Sequence, residues 1–243
     1  MAIKLTLDHT GKMEGIDSLS TSVLLNPNCQ KNQKCSGSIC EHCYAETLAN
    51  MYKGLGAKLE SNTKELTERI LLDSELPDLE NREIFRLEAF GDLNNETQLI
   101  NYINIALKNP KVQITLYTKM YKLVRDYFKD HDVPDNFTLI ISSFYINKPV
   151  DLTFIKELGK FKQGQLKSFT VYDKDFIKKH PALKINCGAR SCNSCRICYL
   201  RNSIEEVREI LKSDRESATT FIKWRENAEE ESSKVLDILN QWR

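Results

Sequence analysis

EIFRLEAFGDLNNETQLINYINIALKNPKVQITLY, residues 83–117, decides the fold. Glu83–Phe90 mixes β-branched and aromatic residues with alternating polarity and reads as a strand. Gly91-Asp92 follows as a backbone-permissive turn. Asn95 is placed to cap a helix in which Leu99, Ile100, Ile103, Ala106 and Leu107 share one apolar face. Asn109-Pro110 stops that helix, because the residue before proline is pushed out of the helical region. Val112–Tyr117 is then a second strand. Strand, helix and strand in so short a span make a βαβ unit, whose two strands run parallel.

The same alternation extends both ways. Downstream, Met120–Phe128 reads as a helix, Phe137–Ser142 as a strand and Asp151–Leu158 as a helix. Ser168–Tyr172 follows as a strand, Lys174–Lys179 as a short helix, and Leu183–Asn186 runs into a cysteine-rich segment. Upstream, Thr21–Leu25 reads as a strand. Tyr44–Leu55 reads as a helix ended by Gly54 and Gly56, with another helix near Thr63–Leu72. From Ser203 the chain is charged and helix-like, with Ile204, Val207, Ile210 and Leu211 on one face and Val235, Leu236, Ile238 and Leu239 on another. About five or six strand–helix units fit, fewer than the eight of a closed barrel. The expected fold is α/β: a partial, open (β/α), TIM-like barrel over residues 1–186, then a cysteine cluster and helical extension over residues 187–243. Functional groups in such folds gather at the carboxyl ends of the strands. Residues 29–43, Gly91-Asp92, Thr118-Lys119 and Ser142-Ser143 all follow strands and would meet on one rim.

The chain has 243 residues and a formal net charge of +1, which excludes a global field drawing it to nucleic acid or membrane. No apolar run is long enough to span a bilayer, and the first residues lack a signal-peptide core. A cytoplasmic location with no membrane partner is expected, and thiols there stay reduced. That matters because all eight cysteines fall in two knots: Cys29, Cys35, Cys40 and Cys43, then Cys187, Cys192, Cys195 and Cys198. Thiolates at short spacing select zinc, Cu(I) or iron–sulfur clusters. Cys40-x2-Cys43 lets two sulfurs reach one metal, and more distant sulfurs close the site. The competing account is a set of buried, unliganded thiols. The uneven single run in each knot tilts the reading from zinc toward iron–sulfur. The second knot has four ligands and none left over, which suits a closed cluster or a structural zinc. His42, amid plentiful sulfur, reads as a supporting or stacking group.

On the strand at 83–90, alternation puts Arg86, Glu88 and Phe90 on one side and Leu87 and Ala89 on the other. Arg86 and Glu88 would either pair with each other or touch a ligand. Tyr117 faces the interior, as core or as a stacking surface. The lysines within 119–122 and 156–167 read as solvated helix faces.

Cys35-x4-Cys40-x2-Cys43 after a first strand, with Gly91-Asp92 after the second, resembles the radical S-adenosylmethionine (SAM) enzymes. The Cys-Tyr-Ala run at 43–45, Phe90-Gly91-Asp92 and the late knot NCGARSCNSCRICY resemble a phage family called gene product eighty-eight, itself radical-SAM-like. The resemblance covers residues 20–200 and implies a partial barrel. It also implies a [4Fe-4S] cluster held by three cysteines, SAM on the open iron, and reductive cleavage of SAM to abstract hydrogen from a substrate. On that basis Asp92 would hold the SAM amine, with Phe90, Gly91 and Glu88 around it, and Lys119 and Ser143 would reach its carboxylate or ribose. The second knot would carry an auxiliary cluster. Expected partners are SAM, an electron donor and an unidentified substrate, with a nucleotide or nucleic acid among the candidates, in the host cytoplasm if the chain is phage-encoded. Four departures stand out. The first spacing is one residue longer than Cys-x3-Cys, His42 replaces an aromatic residue, Phe-Gly-Asp replaces Gly-Gly-Glu, and Cys29 is extra. Four cysteines on one cluster would leave no open iron. The alternative is a non-catalytic zinc or iron–sulfur phage protein that binds nucleic acid or a host protein.

Overall fold

A computed structural model describes residues 3–8, 11–187 and 191–211. The expected helical face at Val235–Leu239 lies outside the described residues. One seven-stranded sheet organises them, in the order β1 (Thr6–Leu7), β2 (Asp17–Leu19), β3 (Ile84–Leu87), β4 (Gln113–Thr118), β5 (Phe137–Ser142), β6 (Leu166–Tyr172) and β7 (Glu206–Ile210). β1 pairs with β2 antiparallel, and every later pair is parallel. Spatial order follows chain order, so β1 and β7 form the two edges. The fold is mixed α/β with a mostly parallel sheet.

Crossovers of one hand between sequential parallel strands place their helices on one face. That face carries the larger core. Phe85, Leu87, Ile114, Leu116, Leu139 and Ile141 pack with Leu66, Leu99, Tyr102, Val124 and Phe128. The helices involved include α3 (Lys53–Glu68), α4 (Glu96–Lys108) and α5 (Tyr121–Asp130). Asn95 caps α4 by accepting from Gln98 N at 3.0 Å. Buried asparagines join the layers: Asn136 Nδ2 donates to the carbonyls of Ala106, Asn109 and Val112. The opposite residues of the same strands, Ile84, Ile140 and Val207, meet Ile16, Ile197 and Tyr199 on the second face.

Three expectations change. Thr21–Leu25 is not a strand. The ladder lies earlier, at Asp17–Leu19, where Ser18 and Leu19 pair with Arg86 and Leu87. Beyond it, side chains take the backbone donors: Ser22 N bonds Thr63 Oγ1 at 2.8 Å, and Thr21 N bonds Glu88. Gly54 and Gly56 do not end a helix. α2 (Tyr44–Met51) ends before them, and α3 runs through both to Glu68, replacing the separate helix expected at 63–72. A Cβ on Gly56 would meet the Ala49 carbonyl oxygen at 2.8 Å, so this glycine permits the close contact between the two helices. Finally, residues 206–210 form β7 rather than a helix. Val207 and Ile210 lie on opposite sides of it, in different apolar clusters, a spacing compatible with either period in so short a run.

Candidate functional site

The segment leaving β2 is fastened to the end of β3. Ser20 Oγ accepts from Ala89 N at 2.9 Å. Thr21 donates twice to Glu88, from N at 3.2 Å and from Oγ1 at 2.9 Å. Asn26 Nδ2 donates to the Asp92 carbonyl at 2.9 Å. Its Oδ1 caps α1 (Pro27–Gln33) by accepting from Asn28 N and Cys29 N. Cys29 therefore stands in the first turn of α1, Cys40 in a 3-10 turn at Ile39–His42, and Cys43 at the cap of α2. Ile39 N donates to Phe144 O at 3.0 Å, tying the knot to the loop after β5. The Tyr44 hydroxyl donates to the Ala89 carbonyl, and its ring meets Phe90 at 6.3 Å. The first knot, the Phe90-Gly91-Asp92 turn and the ends of β4 and β5 are thus brought to one rim.

Glu88 does not continue the alternation of β3. Its backbone turns to φ 57°, a strained region for a non-glycine residue. Its carboxylate lies among Thr21, Gln98 and Tyr102, away from Arg86. Only 2 % exposed, it titrates at about 7 because burial disfavours its charge. Gly91 fits over it without room for a side chain, since a Cβ would lie 2.5 Å from Glu88 Oε2 and 2.6 Å from the Thr21 carbonyl. Asp92 accepts on Oδ1 from Leu93 N at 2.7 Å and Thr118 Oγ1 at 2.5 Å, and on Oδ2 from Lys119 N at 3.0 Å. Burial raises its carboxyl, while the Lys119 ammonium opposes the rise. Ser143 donates its N–H to Phe169 O at 2.7 Å, yet its buried hydroxyl has no partner. Burial raises the Cys29 thiol, reinforced by Asp92 and Glu88; it also raises Cys40, which Lys119 counters.

The second knot lies on the second face of the sheet, in the chain segment that connects β6 to β7. Cys187 forms an isolated bridge to Glu209 of β7. Lys12 Nζ donates to Cys187 Sγ at 2.9 Å and to Glu209 at 2.5 Å. Cys192 and Cys195 bound a single helical turn, α8 (Cys192–Cys195), capped by Ser191. Lys167, fully buried on β6, donates to Ile197 O at 2.6 Å, Leu200 O at 3.1 Å and Asn202 Oδ1 at 2.9 Å. Thr115 Oγ1 of β4 reaches Cys198 O at 3.3 Å. Burial raises Cys187, Cys192 and Cys198, the last to about 11 despite Tyr117 and Lys167. Burial drives Lys167 down to about 8. The cysteines are free thiols. Among the described residues, no three His, Cys, Asp or Glu side chains are drawn together at metal-holding geometry.

Lys12, Gln98 and Tyr102 escaped the sequence reading, and Lys167, read with the lysines of 156–167 as a solvated helix face, is instead fully buried on a strand. A lysine within the apolar alternation of Leu166–Tyr172 was a readable signal for Lys167. Nothing local marked Lys12, whose partners are about 175 or more residues away.

A family model described as Gene product 88 matches residues 3–197. The chain belongs to the Gene product 88 family, a phage family. The match takes in the first knot and all of the second except Cys198. No curated protein and no solved structure matches the chain. Among the described residues of this Gene product 88 protein, no helix is long and apolar enough to cross a membrane.

Proposed function

We propose that this Gene product 88 protein is a radical-SAM-type iron–sulfur enzyme of the host cytoplasm, built on a partial (β/α) barrel. Its first knot would hold an open [4Fe-4S] cluster and its second a closed auxiliary one. One observation carries the reading: Asn26 and Tyr44, which flank the first knot, bond Asp92 and Ala89 at the Phe90-Gly91-Asp92 turn, Asp92 bonds the end of β4, and Ile39 within the knot bonds the loop after β5. When bound, the cluster supplies the electron for reductive cleavage of SAM.

The residues present fit these groups. Each knot offers four sulfurs, and burial raises the Cys29, Cys40, Cys187, Cys192 and Cys198 thiols, which a metal cation would convert to thiolates. Asp92 Oδ2 accepts a single strong bond and keeps capacity for an ammonium donor. The idle Ser143 hydroxyl at the end of β5 is a ready partner for a SAM carboxylate or ribose. Lys119 sits within the field of both Asp92 and Cys40. Glu88 is a positioning residue, because its carboxylate is engaged by Thr21, Gln98 and Tyr102. An electron donor and the substrate would approach the same rim.

The test is anaerobic purification, iron and zinc counts with a visible spectrum, then addition of SAM and dithionite. The expected results are iron in both knots, SAM binding, and 5′-deoxyadenosine. Two zincs with no iron would overturn the reading in favour of closed structural sites. Two clusters with no affinity for SAM would leave an iron–sulfur protein of another kind.

A further inference from the structure

Arg86 is a cation without an anion. It sits on β3, on the face that carries the second knot, with its guanidinium carbon 4.0 Å from the centre of the Tyr117 ring. Nη1 donates to Met13 Sδ at 3.1 Å, a weak acceptor. Buried Nε has no hydrogen-bond partner, and among the described residues no carboxylate pairs with the group. Burial works against its charge, and the groups whose ionised forms would favour it are the Tyr199, Tyr117 and Tyr44 phenols and the Cys192 thiol. Tyr44 follows Cys43 and Cys192 belongs to the second knot, so Arg86 stands between the two knots. A second idle donor is close by. Tyr199 is 1 % exposed, sets its oxygen against the guanidinium, and has no acceptor for its own O–H.

A half-buried cation without a carboxylate partner and a buried hydroxyl with no acceptor are each unfavourable. Together they call for an oxygen acceptor that carries negative charge. The second knot meets that need only in part: the Cys192 thiol lies within the field of Arg86, yet sulfur is a weak hydrogen-bond acceptor. Its Cys187 is bonded by Lys12, and Cys195 and Cys198 lie within the field of Lys167. Charge balance with sulfur would in any case leave both oxygen-seeking donors idle. Access also remains: Arg86, Tyr117 and Phe169 are partly exposed on this face, unlike the strand residues under the helices.

We propose that Arg86 and Tyr199 form a binding site for an oxyanion, a phosphate or carboxylate group carried by a ligand that enters between the two cysteine knots. Tyr117 covers one face of the guanidinium and leaves its planar edge to meet two oxygens, the geometry in which arginine binds these groups best. The site rests on side chains alone and does not depend on which metal the knots hold.

Equilibrium dialysis of the full-length protein, with its metal as purified, tests this. Labelled inorganic phosphate and labelled acetate are used separately at fixed ionic strength. Saturable binding of at least one anion is expected, and the tighter of the two names the group. Arg86→Gln should weaken binding by about tenfold or more, with Arg86→Lys in between, and Tyr199→Phe by about three- to tenfold. Should Arg86→Gln fail to fold, as judged by circular dichroism, Tyr199→Phe decides, since it removes only a hydroxyl. Absence of saturable binding in the wild type overturns the proposal. So does unchanged affinity in Tyr199→Phe. Either failure leaves the iron and zinc counts untouched and so is separable from failure of the proposed function.

Discussion

Glu88 makes the stability of this protein depend on pH with a definite sign. Burial raises its carboxyl to about 7; hydrogen bonds from Tyr102 and Thr21 oppose the rise, and the Asp92 charge adds to it. In the unfolded chain a glutamate titrates near ~4.3. Between these values the folded state binds more protons than the unfolded state, so stability falls as pH rises. The contribution is intact below the unfolded value and is lost as pH climbs to the folded one. The whole effect is ~3.7 kcal/mol, of which ~2.5 kcal/mol falls between pH 5 and pH 8. Glu88→Gln removes the titration. It adds a constant cost from refitting an amide against Thr21, Gln98 and Tyr102, and that constant cancels when the two proteins are compared at two pH values. Asp92, Tyr102 and Cys29, which face the site, are present in both proteins. Urea unfolding of each at pH 5 and pH 8 should show the wild type losing ~2.5 kcal/mol relative to the variant. A relative change under ~1 kcal/mol, or one of opposite sign, would refute the view that Glu88 is buried without a compensating cation.

Gly91→Ala should lower stability by ~1–3 kcal/mol, because the new Cβ meets the Thr21 backbone and a carboxylate already held by three residues. A fall in Tm of roughly 3–10 °C is expected for a chain of this length. Gly54→Ala, whose Cβ meets nothing within 4 Å inside α3, is the control and should be neutral or stabilising by up to ~1 kcal/mol. Lys167→Met strands the carbonyls of Ile197 and Leu200, so a loss of ~2–4 kcal/mol is expected, with weakened metal retention at the second knot alone. On the three-cysteine reading of the first knot, Cys40→Ala and Cys43→Ala each lose its iron and Cys29→Ala keeps it, as read by iron content and visible absorption.

Much of the fold was legible because its signals are local. β5 and α7 (Lys174–Lys179) occupy their expected residues, and α4 runs from the Asn95 cap to Asn109. β2 was not legible, because Asp-Ser-Leu has poor strand propensity and owes its pairing to β3. β7 was misread because five residues cannot separate two periods. At the site, the cysteines, Gly91 and Asp92 stood out by type and spacing. What they rest on did not. Glu88 was read as the next step of an alternating strand, and only its φ of 57° and the donors on α4 show that it has crossed to the helix side.

The two knots carry the same four sulfurs but lie in opposite fields. Around the second stand Lys12, Arg86 and Lys167, with Glu209 as the carboxylate bonded to Lys12. Around the first stand Asp92 and Glu88, with Lys119 as the counter-charge. Four thiolates on one centre bring net negative charge, which three cations accommodate. The same set at the first knot would add charge beside two buried carboxylates, where charges repel more strongly than in water. Cys29 feels both of them, Asp92 first. If the first knot holds a cluster as proposed, leaving Cys29 out would reduce that repulsion and hand the centre to Cys35, Cys40 and Cys43, the three whose spacing resembles the radical-SAM loop. On the proposed reading, the surroundings of the sulfurs, rather than their number, would separate an open first site from a closed second one.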